Sequence, residues 1–289
     1  MSTMNKTMIS LFFVFVLGTS LEAQIKIPTG TKTEINKFLK STTYVVLKTD
    51  RMSEFNTGIK DAIDTHWTIT PVKFVYESDF NDLRKDASNS FLMINQVYFE
   101  KDKSQTLFDF LILTIGGNYQ TVNDMPTLCA IPLSYKGAPE TDYDYKLGII
   151  VKFVQKHVET CSKNASLNED NIAEYYTQKS GKPDDKTLYL LKDEVEPSLK
   201  SVSTFKENYP FKYEFVSKEK IAELIQNNDK NAIIMHKIGP QNNSSLASCV
   251  KIIIDTDQAL IYYYDMHKVS GSNSDNLLKS DLKKLSKKK

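Results

Sequence analysis

The sequence has few of the residues, and none of the short motifs, that usually carry catalysis or metal binding. Its 289 residues include three cysteines, four histidines and ten glycines. It lacks a Cys-x-x-Cys pair, zinc-like ligand spacing, the HExxH and GxSxG motifs, and phosphate-binding or calcium-binding loops. We therefore assign no catalytic, cofactor-binding or metal-ligating residues from the sequence.

The charge balance lacks the basic excess of a nucleic-acid-binding protein. Thirty-seven lysines and arginines face 36 aspartates and glutamates, which gives a formal net charge of +1. Hydrophobic residues make up 40% and charged residues 25% of the chain, as in folded proteins. The length suits two domains of roughly 100–150 residues each.

The N-terminal residues have the pattern of a secretory signal peptide. Lys6 precedes an apolar run at residues 9–17, much shorter than the roughly 20 residues that span a bilayer. We predict a signal peptide at residues 1–23, with cleavage after Ala23 or, alternatively, after Ser20. A retained N-terminal anchor is the other interpretation. No later segment is apolar enough to span a membrane, so the expected location is periplasmic or secreted.

The three cysteines do not form a disulfide framework. Cys129, Cys161 and Cys249 lie far apart in the sequence, and their number is odd. We interpret them as buried small hydrophobic residues. A disulfide between Cys129 and Cys161, with Cys249 as a spare thiol, is the alternative.

An internal repeat is the main organising feature of the sequence. Three apolar positions recur at a constant offset of 141 residues, within a strand, a helix and a second strand in turn. The matched positions are Phe74 with Phe215, Leu83 with Leu224, and Leu92 with Ile233. We predict two tandem copies of a β-α-β-α-β-β-β-α unit, at residues 25–163 and 187–289, joined by a polar linker at 164–186.

The order of strands and helices predicts the fold class. Helices that alternate with early strands, followed by a run of three strands, indicate an α/β (α+β) fold with helices packed on a mixed sheet. The first copy has predicted strands at 43–47, 72–76, 90–99, 107–115 and 128–134. The second has predicted strands at 187–191, 211–216, 232–238, 249–255 and 260–266.

The second copy resembles a known small α/β domain. The segments TLYLL, EFVSKEKIAELI, NAIIMHKI, VKIIIDTDQALIYYY and LLKSDLKKL are similar in order and texture to the N-terminal domain of TolB and to LpoB and CsgG-like periplasmic lipoproteins. The chain departs from that group in having Gln258 where a glycine is common, and in lacking a Pro-Phe end on its first strand. The whole chain also resembles uncharacterised exported bacterial proteins with the same tandem layout.

A thioredoxin-like unit is the rival fold. It predicts Cys-x-x-Cys after the first strand, where this chain has Lys48-Thr49-Asp50-Arg51 in one copy and Lys192-Asp193-Glu194-Val195 in the other.

Candidate reactive side chains are sparse. His157 and Cys161 lie four residues apart on one predicted helix, which would suit a shared metal but also an ordinary helix surface. Paired carboxylates occur at predicted helix starts and turns, where aspartate caps backbone amides. The pairs are Asp79 with Asp82, Asp142 with Asp144, Asp184 with Asp185, and Asp255 with Asp257.

Two predicted strands are apolar on both faces. Leu111 and Leu113 alternate with phenylalanine and isoleucine in residues 107–115, and Tyr262 and Tyr264 belong to a similar strand of the second copy. A sheet with helices on one face only should have a polar second face. We expect the other face to be covered by the second copy, or by a partner or a second molecule of a homodimer, and Tyr262, Tyr264, Leu111 and Leu113 mark that interaction surface.

These observations favour a binding function over catalysis. Export, duplication and the missing catalytic motifs predict a non-enzymatic envelope protein that binds a protein or cell-wall partner without a cofactor. The resemblance to envelope domains implies the same by analogy. The alternative is an exported hydrolase or small-ligand-binding protein with its site between the two repeats.

Overall fold

The computed structural model describes residues 26–98, 106–240 and 247–287. The predicted signal peptide, residues 1–23, lies outside these ranges. Within them the chain forms eight α-helices and ten β-strands in two five-stranded sheets. Among the described residues, none of the helices combines the length and the apolar character needed to cross a bilayer.

The first unit contains five strands and four helices. Its elements are α1 (Lys32–Phe38), β1 (Thr42–Leu47), α2 (Glu54–His66), β2 (Val72–Tyr76), α3 (Glu77–Leu83), β3 (Asn89–Tyr98), β4 (Leu107–Ile115), β5 (Thr127–Tyr135) and α4 (Leu147–Lys163). The strand order is β2-β1-β3-β4-β5. β1 is parallel to both β2 and β3, and the remaining pairs are antiparallel.

The second unit repeats this topology. Its elements are β6 (Thr187–Leu190), α6 (Val202–Asn208), β7 (Lys212–Phe215), α7 (Lys218–Gln226), β8 (Ala232–Ile238), β9 (Ser248–Asp255), β10 (Ile261–Lys268) and α8 (Lys279–Ser286). The order β7-β6-β8-β9-β10 matches that of the first sheet strand for strand. The predicted fold class, two α/β units with mixed sheets, is therefore confirmed.

Two helices were not part of the predicted element order. α1 begins with a capping box, in which Thr31 Oγ1 accepts from the Glu34 amide and the Glu34 carboxylate accepts from the Thr31 amide. α5 (Ile172–Ser180) lies in the segment that its composition assigns to a linker, and it packs against β10. That segment therefore contributes to the folded core as well as joining the two units.

The repeated sequence positions fall in equivalent elements, but the strand registers differ. Phe74 and Phe215 lie in β2 and β7, and Leu92 and Ile233 lie in β3 and β8. In the first sheet Val45 pairs with both Phe74 and Leu92. In the second, Phe215 pairs with Leu190 while Ile233 pairs with Leu188. The edge strand β7 is therefore displaced by two residues relative to its counterpart.

The second sheet buries both of its faces. Alternate residues of a strand point to opposite faces, and the residues of β8 and β9 divide accordingly between two apolar clusters. Ile233, Met235 and Ile253 pack with α6 and α8 in a cluster confined to the second unit. Ile234 and Ile252 join the large cluster that also contains the core of the first unit. The face without α6 and α8 is thus covered within the same chain, by α7, by α5 and by the first copy.

Polar contacts accompany this shared core. The Tyr135 hydroxyl donates to the Ser248 carbonyl, and His236 Nε2 lies 3.0 Å from the Pro132 carbonyl oxygen. On α4, the Lys152 ammonium donates to the Thr256 carbonyl at 3.0 Å. The two units are therefore held together by hydrogen bonds as well as by apolar packing.

All three cysteines are free and buried. Their interpretation as small hydrophobic residues is confirmed, and the alternative disulfide between Cys129 and Cys161 does not form. Burial raises the pKa of Cys161 to about 11 and that of Cys249 to about 12, so both thiols stay protonated at neutral pH.

His157 of α4 connects the N-terminal segment to α5. Its ring is fully buried, with Nε2 2.9 Å from the Pro28 carbonyl oxygen and Nδ1 2.9 Å from the Tyr176 hydroxyl. A carbonyl can only accept, so Nε2 carries the proton and Nδ1 accepts from Tyr176 of α5. Cys161 Sγ lies 3.8 Å from His157 Nε2. Among the described residues no group of three or more His, Cys, Asp or Glu is arranged to hold a metal, so this pair lacks further ligands.

We expect the stability of the protein to fall in mild acid because of this histidine. Burial lowers the pKa of His157 to about 4, below its ordinary value of 6.5, so the unfolded chain binds the proton more readily. The free energy of unfolding should decrease as the pH falls below about 6.5, by up to about 1.4 kcal/mol per pH unit from this group. Urea denaturation at a series of pH values measures the slope.

The variant His157→Gln isolates this contribution. It should be less stable than the wild type at pH 7 but lose less stability on acidification. Equal slopes for the two proteins would contradict the assignment. His66→Gln, at a half-buried histidine, is the control and should change the slope less.

Candidate functional site

The second sheet has a topological switch point at the carboxyl ends of β6 and β8. Phe205 of α6 belongs to the cluster on one face of the sheet, whereas Ile221 and Ile225 of α7 belong to the cluster on the other. The chain therefore leaves β6 over one face and enters β8 from the opposite one. Open α/β sheets bind ligands in the crevice that this arrangement leaves at the strand ends.

A cavity of about 360 Å³ lies at this point, between the two units. We call it the inter-unit cleft. From the second unit it is lined by Leu191, Asp193, Glu194, Lys218, Lys237, Ile238, Gly239, Asp275 and Asn276, and from the first by Leu133, Ser134, Tyr135, Ala138, Asp142 and Tyr143. Its volume is within the range of small-molecule sites, and most of its charged groups come from strand and helix ends.

Both lysines that line the cleft are engaged with carboxylates and carbonyls. Lys218 Nζ donates to the Thr141 carbonyl at 2.6 Å and to Asp142 at 3.2 Å, which links α7 to the first unit. Lys237 Nζ donates to the backbone carbonyl of Asp275 at 2.8 Å and lies 3.5 Å from its carboxylate. The cleft is therefore ionic, and its rim ties the units together.

A buried ion pair lies beside the cleft. Lys146 is fully buried, and its Nζ is 3.6 Å from Glu194 Oε1. Neither Lys146 Nζ nor Glu194 Oε2 has a hydrogen-bond partner. The centroid of the Tyr145 ring lies 4.9 Å from Lys146 Nζ and 5.5 Å from Lys218 Nζ. Burial raises the pKa of Tyr145, so its hydroxyl stays protonated.

His236 contributes a neutral imidazole to the same region. Burial and the charge of Lys146 lower the pKa of His236 to about 3. Because Nε2 must donate to the Pro132 carbonyl, Nδ1 carries a lone pair, and that atom has no hydrogen-bond partner. The region thus combines free acceptors at Glu194 and His236 with a buried ammonium group.

The equivalent crevice of the first unit is filled by the chain itself. The Glu140 carboxylate accepts from Lys48 Nζ at 2.6 Å, from the Ser53 hydroxyl at 2.8 Å, and from the Phe55 amide in the first turn of α2 at 2.9 Å. Lys48 directly follows β1, and Glu140 lies between β5 and α4. A carboxylate at this point complements the partial positive charge of the helix N-terminus.

In the second unit, the corresponding segment before α8 does not fill the crevice at the strand ends. Asp275 precedes α8 in the chain order as Glu140 precedes α4. Asp275 is held by Lys237, and the amide of Leu277 donates to the Glu194 carbonyl at 2.8 Å. The open crevice of the second unit is the inter-unit cleft.

A second buried ionic group, in the second unit, has its hydrogen bonds satisfied within the protein. Lys251 Nζ, fully buried in β9, lies 2.7 Å from Asp281 Oδ2 and 2.7 Å from His267 Nδ1. The Tyr263 hydroxyl donates to Asp281 Oδ1 at 2.7 Å. These bonds attach α8 to the sheet. Both oxygens of the Asp281 carboxylate therefore have partners inside the protein.

The residues predicted as an interaction surface do not form an exposed patch of the single chain. Leu111 and Leu113 are completely buried, Tyr262 is 5% exposed, and Tyr264 is half-buried. Of the predicted carboxylate pairs, Asp142 lines the cleft, while Asp255 accepts from the amides of its own turn. Leu111 and Leu113 belong to the large apolar cluster that contains the core of the first unit, and Tyr264 packs against the same cluster.

The main cleft residues were missed in the sequence. Lys218, Lys237, Glu194 and Asp275 are common residue types at unremarkable spacings. The available signal was their position: Glu194 lies in the loop after β6, Lys237 lies at the end of β8, Lys218 is the first residue of α7, and Asp275 lies in the loop before α8.

We expect the buried and the exposed lysine of this region to differ sharply in their effect on stability. Lys146→Met leaves Glu194 without its partner in a largely buried position, which should cost about 3 kcal/mol of unfolding free energy. Lys218→Met breaks a half-exposed pair and should cost less than about 1 kcal/mol. Urea denaturation of both variants measures the difference, and equal small losses would contradict the buried pairing.

Comparison with known proteins finds no match, whether among family models, curated proteins or solved structures. The resemblance to the TolB N-terminal, LpoB and CsgG-like domains accordingly stays a prediction from the sequence. The inter-unit cleft is interpreted from its own geometry.

Proposed function

We propose that this is an exported, non-enzymatic binding protein that holds a small polar ligand in the inter-unit cleft. The observation that carries this proposal is the cavity at the carboxyl ends of β6 and β8, lined by charged side chains from both units. Its position at a topological switch point supports a ligand site on physical grounds, since strand ends and helix starts converge there.

The state of the charged groups supports binding rather than catalysis. General acid–base catalysis uses a group that is free to exchange its proton with a substrate. Each of Asp142, Asp193 and Asp275 lies within 3.5 Å of a lysine ammonium, at Lys218, Lys200 and Lys237 respectively. Such pairs suit the recognition of a charged ligand, because they can exchange an internal partner for an external one.

A protein partner has less support than a small ligand. The large apolar side chains that are exposed in the described part of the chain are Leu39, Met52, Phe74, Tyr98 and Val202. They belong to five separate segments, and singly exposed apolar residues are usual on folded proteins. A cell-wall partner would fit this proposal if the partner placed a small charged group in the cleft.

Blocking the cleft should abolish ligand binding. Ala138 lines the cavity and is partly exposed, so Ala138→Trp should fill part of it without opening the core. We would titrate the purified protein calorimetrically with four five-carbon probes: pentane-1,5-diamine, pentanedioate, pentane-1,5-diol and 5-aminopentanoate. At least one should bind the wild type, and Ala138→Trp should weaken it about tenfold or more, the effect of about 1.4 kcal/mol.

The control is Ala87→Trp, at an exposed loop position outside the cleft. It should bind the same probe as the wild type does. Binding that survives Ala138→Trp, or the failure of all four probes, would count against the cleft as the functional site.

Export has its own test. Expressed with its native N-terminus in a bacterial host that has a periplasm, the chain should lose residues 1–23, and the intact mass of the periplasmic protein measures the cleavage. Val14→Lys interrupts the apolar run and should leave the full-length chain inside the cell. An uncleaved wild-type chain in the cytoplasmic fraction would contradict export.

A further inference from the structure

The inter-unit cleft offers a ligand more hydrogen-bond acceptors than donors. Four carboxylates line it, at Asp142, Asp193, Glu194 and Asp275, against the two ammonium groups of Lys218 and Lys237. Most of the lysine protons are engaged: Lys218 donates to Thr141 and Asp142, and Lys237 to the carbonyl and carboxylate of Asp275, so each ammonium group keeps about one of its three protons. Each carboxylate can accept about four hydrogen bonds, so the unused capacity is mainly that of acceptors.

One of these acceptors is buried and has no partner. Glu194 lines the cleft, and its Oε2 accepts no hydrogen bond from the protein, while Oε1 faces the Lys146 ammonium at 3.6 Å. A buried carboxylate oxygen without a donor is costly, and such atoms in folded proteins usually have a partner. A ligand that brings a proton donor to Glu194 would remove that cost.

Lys146 would influence a ligand in the cleft only through its contact with Glu194. It is fully buried and is not among the residues that line the cleft. Its Nζ lies 3.6 Å from Oε1 of Glu194. Lys146 is therefore a positioning residue on the Oε1 side, and Oε2 receives no hydrogen bond from the protein.

Two tyrosines in the lining are compatible with the same kind of ligand. The Tyr135 hydroxyl donates to the Ser248 carbonyl, and the Tyr143 hydroxyl accepts from Lys48. Their polar ends are thus occupied within the protein. What they offer to the cleft is mainly aromatic surface, which attracts ammonium groups through the ring quadrupole.

We infer that the ligand of the inter-unit cleft is a small organic cation that donates an ammonium proton to Glu194 and places further positive charge near Asp142 and Asp275. This inference rests on the proposed function. An anionic ligand would instead meet four carboxylates and two lysines whose protons are mostly engaged with the protein. A bare metal ion is not favoured, because the described residues contain no cluster of three or more acidic, histidine or cysteine side chains placed to hold one.

The five-carbon probes test this inference directly, because they have nearly the same length and differ in charge. Pentane-1,5-diamine should bind at least about tenfold more tightly than pentane-1,5-diol and pentanedioate, since a hydrogen bond to a charged group is worth about 1.5–3 kcal/mol. Its affinity should fall as salt is raised from about 0.05 to 0.5 M, because salt screens the attraction between charges.

Glu194→Gln tests the proposed donor site. The variant keeps the shape of the side chain but removes its charge, and it should weaken binding of the diamine about tenfold or more. Glu207→Gln, at an exposed position of α6 outside the cleft, is the matched control and should bind the diamine as the wild type does. Asp193→Asn, at the exposed rim, should have an intermediate or small effect.

The comparison of probes on the wild type keeps the inference testable if Glu194→Gln folds poorly after losing its contact with Lys146. If the diol or the dicarboxylate binds as tightly as the diamine and Ala138→Trp blocks it, the cationic ligand is wrong while the cleft remains the binding site. If diamine binding is unchanged in Glu194→Gln, the role of Glu194 is wrong. If none of the probes binds, the inference and the proposed function fail together.

Discussion

The burial of the inner face of the second sheet against the first unit is the interaction on which the rest of the structure depends. Ile234 and Ile252 project from β8 and β9 into a core that continues into the first unit. Separating the units would expose this apolar face to water, at a cost of roughly 25 cal/mol for each Å² uncovered. The cleft exists because the two units dock, since its lining comes from both of them.

Docking also explains why two copies of one topology have different strand-end crevices. In the first unit the segment before α4 turns back over the end of β1, and Glu140 binds to Lys48 and to the first turn of α2. The same segment presents Asp142 to Lys218 of the second unit. One crevice is thus filled by an internal carboxylate, while the other remains open beside it. The two units share one strand order, and the interface between them makes their strand-end crevices different.

The buried polar groups at the interface stabilise the folded protein less than apolar side chains of similar volume would. Transfer of Lys146 and Glu194 out of water is unfavourable, and a pair separated by 3.6 Å without a direct hydrogen bond recovers only part of that cost. The Lys251–Asp281 pair of the second unit, at 2.7 Å and joined by Tyr263, shows the closed alternative. Among the described residues, buried polar atoms without a hydrogen-bond partner include those of Tyr145, Lys146, Glu194 and His236 in this region, and Glu194 lines the cleft.

Local sequence patterns determined the secondary structure, the repeated order of elements and the mixed sheets, because the periods of two and 3.6 residues and the caps at Ser53 and Ser217 act over a few positions. The tertiary structure alone decided that α5 packs on β10, that β7 shifts by two residues, and that Leu111 and Leu113 are buried inside the chain. It also brought Lys218 to Asp142 and Lys146 to Glu194 across the two units. Those pairings depend on how two apolar faces dock, and no periodicity within a single segment encodes the relative position of residues so far apart in the chain.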